Sequence, residues 1–244
     1  MNYYISGQSG FIGTAITKYL VAKGESVHNI PRNYHIEGLV QIFDVIPPDY
    51  IIHLSSYGNH YGQDDCIQMI NTNITGTYNL LEAASGFDYK KFYNFSSSSV
   101  GLFTQTPYSI TKRCGEQLAD RYKRTVNIRP YSVYGIGEPL NKFIPTVIRK
   151  LKNGELMVVD ENATHDWIYI DDLIDALFLG YTDIGSGIKL SNKEIILLLE
   201  HISGKKLSYI HDKLRDYDNE SWVAEEGYSG IGIYEGLKKT YDNS

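Results

Sequence analysis

Short apolar runs alternate with longer amphipathic segments through the first half of the chain. The runs predict five strands, at Tyr3–Ser6, Ser26–Ile30, Tyr50–Leu54, Phe92–Ser96 and Thr125–Arg129. Between them, apolar residues spaced three or four positions apart predict helices at Phe11–Lys23, Gly38–Ile46, Ile67–Ala84 and Tyr108–Lys123. Almost continuously apolar strands that alternate with helices are typical of a parallel sheet covered on both faces. We therefore expect a doubly wound α/β fold.

The second half of the chain has a less regular pattern. It predicts helices at Ile144–Lys152 and Ile195–Ile202 and a strand at Leu156–Val159. No repeat, low-complexity linker or block of charge interrupts it. We therefore expect a smaller region over residues 135–244, packed in part on the main sheet rather than tethered to it.

The composition is that of an ordinary globular protein, with 244 residues, 42% hydrophobic residues and a formal net charge of −6. Two cysteines, Cys66 and Cys114, are too few for a disulfide framework. The longest aliphatic run, Ile195–Leu199, falls far short of the about 20 residues of a spanning helix. No signal peptide is predicted, and the acidic balance disfavours nucleic acid as a partner. We expect a soluble cytoplasmic enzyme that acts on a small molecule.

Three glycines, Gly7, Gly10 and Gly13, lie between the first predicted strand and the first predicted helix. Glycine permits a tight turn, close approach of the backbone to a pyrophosphate, and close packing of helix on strand. The helix N-terminus also offers N–H groups and a favourable dipole to phosphates. Chance glycines in a structural turn are the alternative, but the position favours a dinucleotide-binding Rossmann region.

The end of the second strand bears on which dinucleotide is bound. A site for NAD usually places an acidic residue there, to bind the ribose hydroxyls. This chain has Pro31 at that point and Arg32 after it. A guanidinium can clamp a 2′-phosphate, so we favour NADP over NAD. A solvent-facing Arg32 is the alternative.

The segment "PYSITK" places Tyr108 and Lys112 four residues apart on a predicted helix, and therefore on one face. Thr106 as N-cap and Pro107 as first helical residue support a helix start at this point. We expect the ammonium of Lys112 to lower the pKa of the Tyr108 phenol. Such a group can transfer protons in carbonyl–alcohol interconversion, and a serine of the preceding "SSSS" run could bind the substrate oxygen.

Together these motifs resemble those of the extended short-chain dehydrogenases/reductases, in the NAD-dependent epimerase/dehydratase family. The resemblance runs nearly end to end and includes the glycine spacing, "IIHLSS", "NITGTYNLLEAA", "IRPYSVYG", "NKFIPTVI", "HDWIYIDD" and "YEGLKKT". It implies a dinucleotide-binding domain over residues 1–134 and a mostly substrate-binding region over 135–244. It also implies a homodimer built on the helices that carry Asn73 and Tyr108.

The resemblance assigns roles by position. Tyr108 would be the acid/base, Lys112 its partner, and Ser97 the catalytic hydroxyl, with Ser98 as runner-up. The residues expected to bind the cofactor are Gly7, Gly10, Phe11, Ile12, Gly13, Arg32, Leu54, Ser55, Ser56, Asn73, Tyr108, Lys112, Tyr131 and Val133. Those expected to bind the substrate are Ser98, Asn141, His165 and Arg215. No metal is expected, since the chain's histidines lack ligand spacing.

Four departures from the family pattern bear on the substrate. The third strand is reduced or missing, and Tyr108 follows Ser97 by only 11 positions. Ser98 and Ser99 stand where dehydratases carry Asp-Glu, which disfavours sugar 4,6-dehydration. His165 replaces an arginine expected to touch a substrate phosphate. Arg215 is either a compensating phosphate ligand or a solvated helix end.

We therefore expect a reductase that uses NADP(H), or less favourably NAD(H), on the C4 keto group of a nucleotide-activated deoxysugar. We favour a reductase over an epimerase because NADP is the preferred cofactor, whereas epimerases of the family typically retain and recycle bound NAD. A nucleotide-sugar 4-epimerase with tightly bound NAD is the main alternative. A reductase of a non-nucleotide ketone and a non-catalytic NADP sensor remain as further alternatives.

Overall fold

A computed structural model describes residues 1–60, 62–103, 105–212 and 223–244. The chain divides into two compact units. The first comprises residues 1–100 and 105–129, and the second comprises 101–104 and 130–244. The assignment of cofactor binding to residues 1–134 and of substrate binding to 135–244 stays a prediction.

The first unit alternates strands and helices as the hydrophobic pattern predicts. Its strands are β1 (Asn2–Ser6), β2 (Ser26–Ile30), β3 (Tyr50–His53), β4 (Lys91–Phe95) and β5 (Thr125–Pro130). Its helices are α1 (Phe11–Ala22), α2 (Ile36–Val45), α3 (Cys66–Ile70), α4 (Gly76–Ser85) and α5 (Pro107–Ala119). A π-helical turn, Asn71–Thr75, joins α3 to α4, and a 3₁₀ turn, Ser98–Gly101, follows β4.

The five strands pair in parallel in the order β2-β1-β3-β4-β5. This confirms the doubly wound α/β prediction. The order reverses direction between β1 and β3, and such a switch point opens a crevice at the carboxyl ends of the strands. Within the described residues no strand lies outside β2 in this unit, so the prediction of a missing third strand is also confirmed. Pro31, which has no backbone N–H to donate, follows the last residue of β2.

One face of this sheet is covered by α2 and α4. Leu39, Phe43 and Leu80 are completely buried there against Tyr4 and Phe92 of the strands. Burial of a large apolar side chain stabilises the fold by about 1.5–3 kcal/mol. Tyr4 is itself buried, and its hydroxyl donates to the Ile46 carbonyl at 2.8 Å.

The prediction of a single helix over Ile67–Ala84 is wrong in one respect. It is divided into α3, the π turn Asn71–Thr75 and α4. Asp65 caps α3 by accepting from the backbone N–H groups of residues 67 and 68. A π turn adds one residue to a helical turn without ending the helix, so the apolar spacing on either side still indicates one continuous helix.

The second unit contains a short three-stranded mixed sheet and a separate two-stranded pair. Its strands are β6 (Ser132–Tyr134), β7 (Met157–Val159), β8 (Thr164–Tyr169), β9 (Asp183–Ile184), β10 (Lys189–Ser191) and β11 (Tyr209–His211). Its helices are α6 (Phe143–Asn153), α7 (Ile170–Leu179), α8 (Asn192–Ser203) and α9 (Ile233–Asp242). Strand β8 pairs with β6 in parallel and with β10 in antiparallel orientation, while β7 pairs with β11.

Two buried carboxylates tie later segments to this unit. Asp166 accepts hydrogen bonds from the backbone N–H groups of Ser186, Gly187 and Ala224. Asp172 accepts from the N–H of Ile231. Buried carboxylates need such donors, so these aspartates of the "HDWIYIDD" motif have a structural use in this chain.

Among the described helices, none has the length and apolar character needed to cross a membrane. The described residues also contain no group of three or more His, Cys, Asp or Glu side chains arranged to hold a metal ion.

Candidate active site

The glycine loop is folded so tightly that side chains would clash in it. A Cβ on Gly13 would lie 2.3 Å from the Gly7 carbonyl oxygen, and one on Gly7 would lie 2.9 Å from the Ser55 backbone nitrogen. Gly7 also has a φ of +71°, in the left-handed region that favours glycine. The Gly10 N–H donates to the Gly7 carbonyl at 3.0 Å. Gly10 is the N-cap of α1 and supplies no capping side chain, which leaves the first N–H groups of the helix available to a phosphate.

A cavity of about 450 Å³ opens beside this loop. Its lining residues are Gly7, Gln8, Ser9, Thr14, Thr17, Lys18, Asn29, Ile30, Arg32 and Ser55. Two of them, Lys18 and Arg32, are cationic, and no carboxylate lines the cavity. The glycine cradle and the two cations suit the phosphates of a dinucleotide. The sequence interpretation missed Lys18, because a helix face can be assigned to the cavity only once the helix is placed against β2.

The other residues expected to bind the cofactor in this unit lie around the same strand ends. Phe11 and Ile12 open α1. Leu54, Ser55 and Ser56 follow β3, and of these Ser55 lines the cavity. Leu54 continues the ladder, since its N–H donates to the Ser6 carbonyl at 3.1 Å.

The phenol of Tyr108 lies within a cluster of hydroxyl groups. The hydroxyls of Ser97 and Ser56 act on the ionisation of this phenol as hydrogen-bonding groups. Ser97 Oγ also lies 2.9 Å from Ser99 Oγ and accepts from the Ser99 N–H. Of the two serines considered from sequence, Ser97 therefore reaches the phenol, whereas Ser98 begins the 3₁₀ turn. The contact with Ser56 was not predicted, since that residue was assigned to cofactor binding alone.

The predicted start of α5 explains how Tyr108 is held. Thr106 is the N-cap and accepts from the Ser109 N–H, while the Ser109 hydroxyl accepts from the Thr106 N–H. Pro107 is the first helical residue. This capping box fixes the first turn of the helix, and Tyr108 belongs to that turn.

Lys112 lies one turn further along α5, and its side chain is buried. Its Nζ donates to the Phe95 carbonyl at 2.5 Å, which ties the helix to the end of β4. Desolvation lowers the pKa of Lys112 to about 8, although nearby Glu116 opposes this shift. Glu116 in turn accepts two hydrogen bonds from the Arg129 guanidinium, each of 2.8 Å.

The expectation that Lys112 lowers the pKa of Tyr108 is wrong in this structure. Burial raises the pKa of the phenol to about 12, and the hydrogen bonds from Ser97 and Ser56 oppose that rise. The reason is that the lysine ammonium is directed to the Phe95 carbonyl, while the phenol is removed from water. Tyr108 is therefore protonated at neutral pH, which is the form that donates a proton.

Asn73 lies in the π turn and is fully buried. Its Nδ2 donates to the Tyr57 carbonyl at 2.8 Å and to Thr111 Oγ1 at 3.0 Å, and its Oδ1 accepts from the Tyr57 N–H at 2.9 Å. Both amide protons are therefore used within the protein. The structure gives Asn73 the task of holding the loop after β3, and its predicted contact with cofactor stays a prediction.

The second unit carries the remaining predicted residues at separate places. Tyr131 donates its hydroxyl to the Val223 carbonyl at 3.1 Å, and Val133 lies in β6. His165 lies in β8, with its ring 5.2 Å from the ring of Trp167. Asn141 is exposed in the turn before α6. Arg215 lies outside the described residues.

Three buried polar atoms of this unit have no hydrogen-bond partner among the described residues, namely Glu138 Oε2, Trp167 Nε1 and Asn192 Oδ1. Burial also raises the pKa of Glu138 to about 8, against the opposing influence of Lys142. Unsatisfied buried groups are uncommon in folded proteins and often mark functional positions. No sequence pattern points to Glu138, since a single glutamate in a loop has no informative spacing.

Comparison with known proteins identifies the family. A model of the NAD-dependent epimerase/dehydratase family matches residues 3–189 of the chain. The chain belongs to this family. The resemblance inferred from the motifs is therefore confirmed.

Relatives within this family include a CDP-abequose synthase from Yersinia pseudotuberculosis, 26% identical, with 85% of this chain and 87% of the relative covered. A dTDP-glucose 4,6-dehydratase from Haemophilus influenzae is 25% identical, with 86% of this chain and 83% of the relative covered. Among solved structures, the UDP-glucose 4-epimerase of Thermus thermophilus in complex with NAD has a TM-score of 0.85. It is 20% identical and covers 100% of this chain and 98% of its own. That likeness confirms the fold.

Proposed function

We propose that this protein reduces the C4 keto group of a nucleotide-activated deoxysugar with NADPH. The observation that carries the proposal is the hydroxyl cluster of Tyr108, Ser97 and Ser56 in the same unit as the glycine-loop cavity. NADPH, when bound, supplies a hydride to the carbonyl carbon. Ser97 orients the carbonyl oxygen, and the protonated Tyr108 gives that oxygen its proton, so that the ketone becomes an alcohol.

The lining of the cavity supports NADP over NAD. Lys18 and Arg32 line the cavity and offer two cations to a 2′-phosphate, and the lining contains no acidic residue that would repel that phosphate. A charge-assisted hydrogen bond to a phosphate contributes about 1.5–3 kcal/mol. The family is named for NAD, and solved relatives contain NAD. The preference for NADP is therefore a separate part of our proposal.

Two observations support a nucleotide sugar as substrate. Relatives of the chain are named for CDP-abequose and dTDP-glucose. The second unit contains the buried and unsatisfied Glu138 and Trp167 atoms, which suit a ligand with many hydroxyl groups. Ser98 and Ser99 in place of an acid pair favour reduction over dehydration.

The decisive experiment combines nucleotide release with turnover. Purified protein is denatured and the supernatant is analysed for NAD and NADP by chromatography. The native protein is then given NADPH or NADH with 4-keto-6-deoxy sugars linked to CDP, dTDP or UDP, and cofactor absorbance is followed. We expect NADPH-dependent reduction, and a loss of about 10²–10⁴-fold in kcat for Tyr108→Phe.

Two results would overturn this proposal. Stoichiometric NAD that stays bound through purification, together with C4 inversion without added cofactor, would identify a 4-epimerase. Turnover that Tyr108→Phe leaves unchanged would exclude the proposed proton donor.

Cofactor preference is tested separately by titration of NADPH and NADH fluorescence. We expect Arg32→Ala and Lys18→Ala each to weaken NADPH binding about tenfold and to leave NADH binding unchanged. Lys23→Ala is the matched control, because Lys23 caps the other end of α1 and does not line the cavity. Equal losses for both cofactors would contradict selection of the 2′-phosphate.

We also propose that two copies of the chain associate through α3, α4 and α5. Each of these helices leaves a large apolar side chain exposed, respectively Ile67, Tyr78 and Ile110. Light scattering should give the mass of a dimer, and Tyr78→Lys should shift it toward the monomer. Val45→Lys on α2 introduces the same charge at another exposed apolar position and should leave the mass unchanged.

A further inference from the structure

A row of buried side chains crosses the first unit behind the Tyr108 cluster. Ser6 ends β1, His53 ends β3 and Thr77 lies in α4, and each is at most 1% exposed. The His53 imidazole joins the two hydroxyls. Its Nδ1 lies 2.6 Å from Ser6 Oγ, and its Nε2 lies 3.0 Å from Thr77 Oγ1.

The positions of the protons in this row follow from its ends. Thr77 Oγ1 lies 2.8 Å from the Asn73 carbonyl oxygen, which can only accept, so the threonine hydroxyl donates there. Thr77 must then accept from His53, so Nε2 carries the ring proton and Nδ1 accepts from the Ser6 hydroxyl. The Ser6 oxygen in turn accepts from the Ser55 N–H at 3.3 Å. Every donor in the row has one acceptor.

Both ends of the row hold the same loop. Ser55 is held by Ser6, and Tyr57 is held at its N–H and its carbonyl by the Asn73 side chain. Between these two anchored residues lies Ser56, whose hydroxyl acts on the Tyr108 phenol as a hydrogen-bonding group. Gly58, which follows Tyr57, lies so close to the phenol ring that a Cβ there would be 3.1 Å from Tyr108 Cδ2. The imidazole therefore fixes the spacing between the two supports of Ser56.

We propose that His53 is a positioning residue for the Tyr108 hydroxyl and acts through the loop that carries Ser56. The neutral Nε2–H tautomer joins the end of β1 to the π turn, and this connection sets where Ser56 meets the phenol. The inference rests on the proposed function only for the role of Tyr108 as proton donor.

The surroundings of His53 keep its ring neutral. Complete burial lowers the pKa of His53 to about 3, and the positive charge of Lys112 on α5 adds to the effect. The Phe92 ring of β4 packs against the imidazole, and the groups that face it from β1 and α4 are the hydroxyls of Ser6 and Thr77. A second ring proton would remove the acceptor that Ser6 requires, so the row depends on the neutral state.

The tautomer can be measured without substrate. Long-range ¹H–¹⁵N spectra of ¹⁵N-histidine-labelled protein, assigned with His53→Gln, should show a neutral Nε2–H ring that does not titrate between pH 5 and 8. A proton on Nδ1, or a titration midpoint within that range, would overturn the arrangement.

The positioning effect is measured at Tyr108 itself. With ¹³Cζ-labelled tyrosine, Tyr108→Phe identifies the signal among the 21 tyrosines. Thr77→Val has nearly the same shape and removes the hydroxyl, so it should move the Tyr108 signal in the same direction as Ser56→Ala. Thr75→Val, the same substitution at an exposed position of the π turn, is the control and should leave the signal in place.

Variants at His53 should move the Tyr108 signal by different amounts. His53→Gln can still donate to Thr77. It should therefore move the Tyr108 signal less than His53→Phe, which can neither donate to Thr77 nor accept from Ser6. If the His53 variants fail to fold, the Thr77→Val result decides the question. A Tyr108 signal unchanged in folded Thr77→Val would refute the positioning role.

Kinetics separate this inference from the proposed function. We expect Thr77→Val to lower kcat about tenfold with KM for cofactor within about twofold, since misplacement of a reacting group acts on turnover. Equal activity of Thr77→Val and wild type would contradict the inference while leaving the proposed function intact. Wild-type protein that reduces no nucleotide sugar would refute the proposed function, and the two spectroscopic tests would still decide the inference.

Discussion

The two units differ in how they present their candidate residues. In the first unit Ser97, Tyr108 and Ser56 meet in one hydroxyl cluster, because the carboxyl ends of neighbouring parallel strands converge. In the second unit His165 lies within a strand and Asn141 lies in an exposed turn. The comparison indicates that the hydroxyl cluster is fixed by the sheet itself, whereas the candidate substrate residues depend on separate loops and strand positions.

Removal of the cluster's second hydroxyl should give the largest effect. We expect Ser97→Ala to lower kcat about 10²–10³-fold, as for other donors to a reacting oxygen. Ser98→Ala should change kcat less than about threefold, because Ser98 is not a partner of the phenol. Steady-state rates with saturating substrate measure both. A larger loss for Ser98→Ala would mean that the cluster was assigned to the wrong serine.

A substitution that crowds the glycine loop should have the second largest effect. Gly13→Ala places a Cβ 2.3 Å from the Gly7 oxygen, and we expect a loss of about 1–3 kcal/mol in the free energy of unfolding together with weaker cofactor binding. Gly38→Ala is the matched control on α2. Its Cβ meets nothing within 4 Å, and it should stabilise the helix by about 0.5–1 kcal/mol. Denaturant unfolding and cofactor titration test the pair, and a tolerated Gly13→Ala would show that the loop can open.

Glu138 should make the stability of the second unit fall as the pH rises toward 8. Its folded-state pKa of about 8 lies above its usual value of 4.5, so the folded protein retains a proton that the unfolded chain has released. Stability from this group is therefore present at low pH and lost as pH rises from 4.5 to 8.

We expect Glu138→Gln to remove this loss. Relative to wild type it should gain on the order of 2 kcal/mol at pH 8 compared with pH 5. Urea unfolding at the two pH values measures the difference, and Glu226→Gln, at an exposed acid of the same unit, is the matched control. Parallel pH profiles for Glu138→Gln and wild type would mean that Glu138 is ionised in the folded state.

Substitution at His165 should have the smallest effect. His165→Arg introduces the bidentate donor that the family pattern has at this position, so KM for the nucleotide sugar should fall about three- to tenfold with kcat unchanged. Initial rates at varied substrate concentration measure this. An unchanged KM would place the phosphates away from β8.

The sequence was sufficient for those features that depend on neighbours along the chain. The glycine loop, the Thr106 cap and Pro107 at the start of α5 are local signals, and each was found at its predicted place. The missing strand after β2 was also predicted, because Tyr34–Pro48 has room for one helix only.

Features that depend on contacts between elements could not be predicted. The helix around Asn73 keeps its apolar spacing on both sides of the π turn, so periodicity does not reveal the turn. The Ser56 contact with Tyr108 joins residues 52 positions apart. The pKa of Tyr108 was predicted in the wrong direction because spacing shows that Lys112 shares its helix face, but not how deeply the phenol is buried.

Strand β2 forms the outer side of the first unit's sheet, and among the described residues no strand covers that side. An outer strand offers its backbone N–H and C=O groups to any extended chain that approaches, which makes it a starting point for aggregation. Here the strand has only five residues, among them Ser26, His28 and Asn29, and Pro31 follows it. Polar side chains and shortness discourage intermolecular strand addition, so replacing His28 and Asn29 with valine should make the protein prone to form fibrils from this edge.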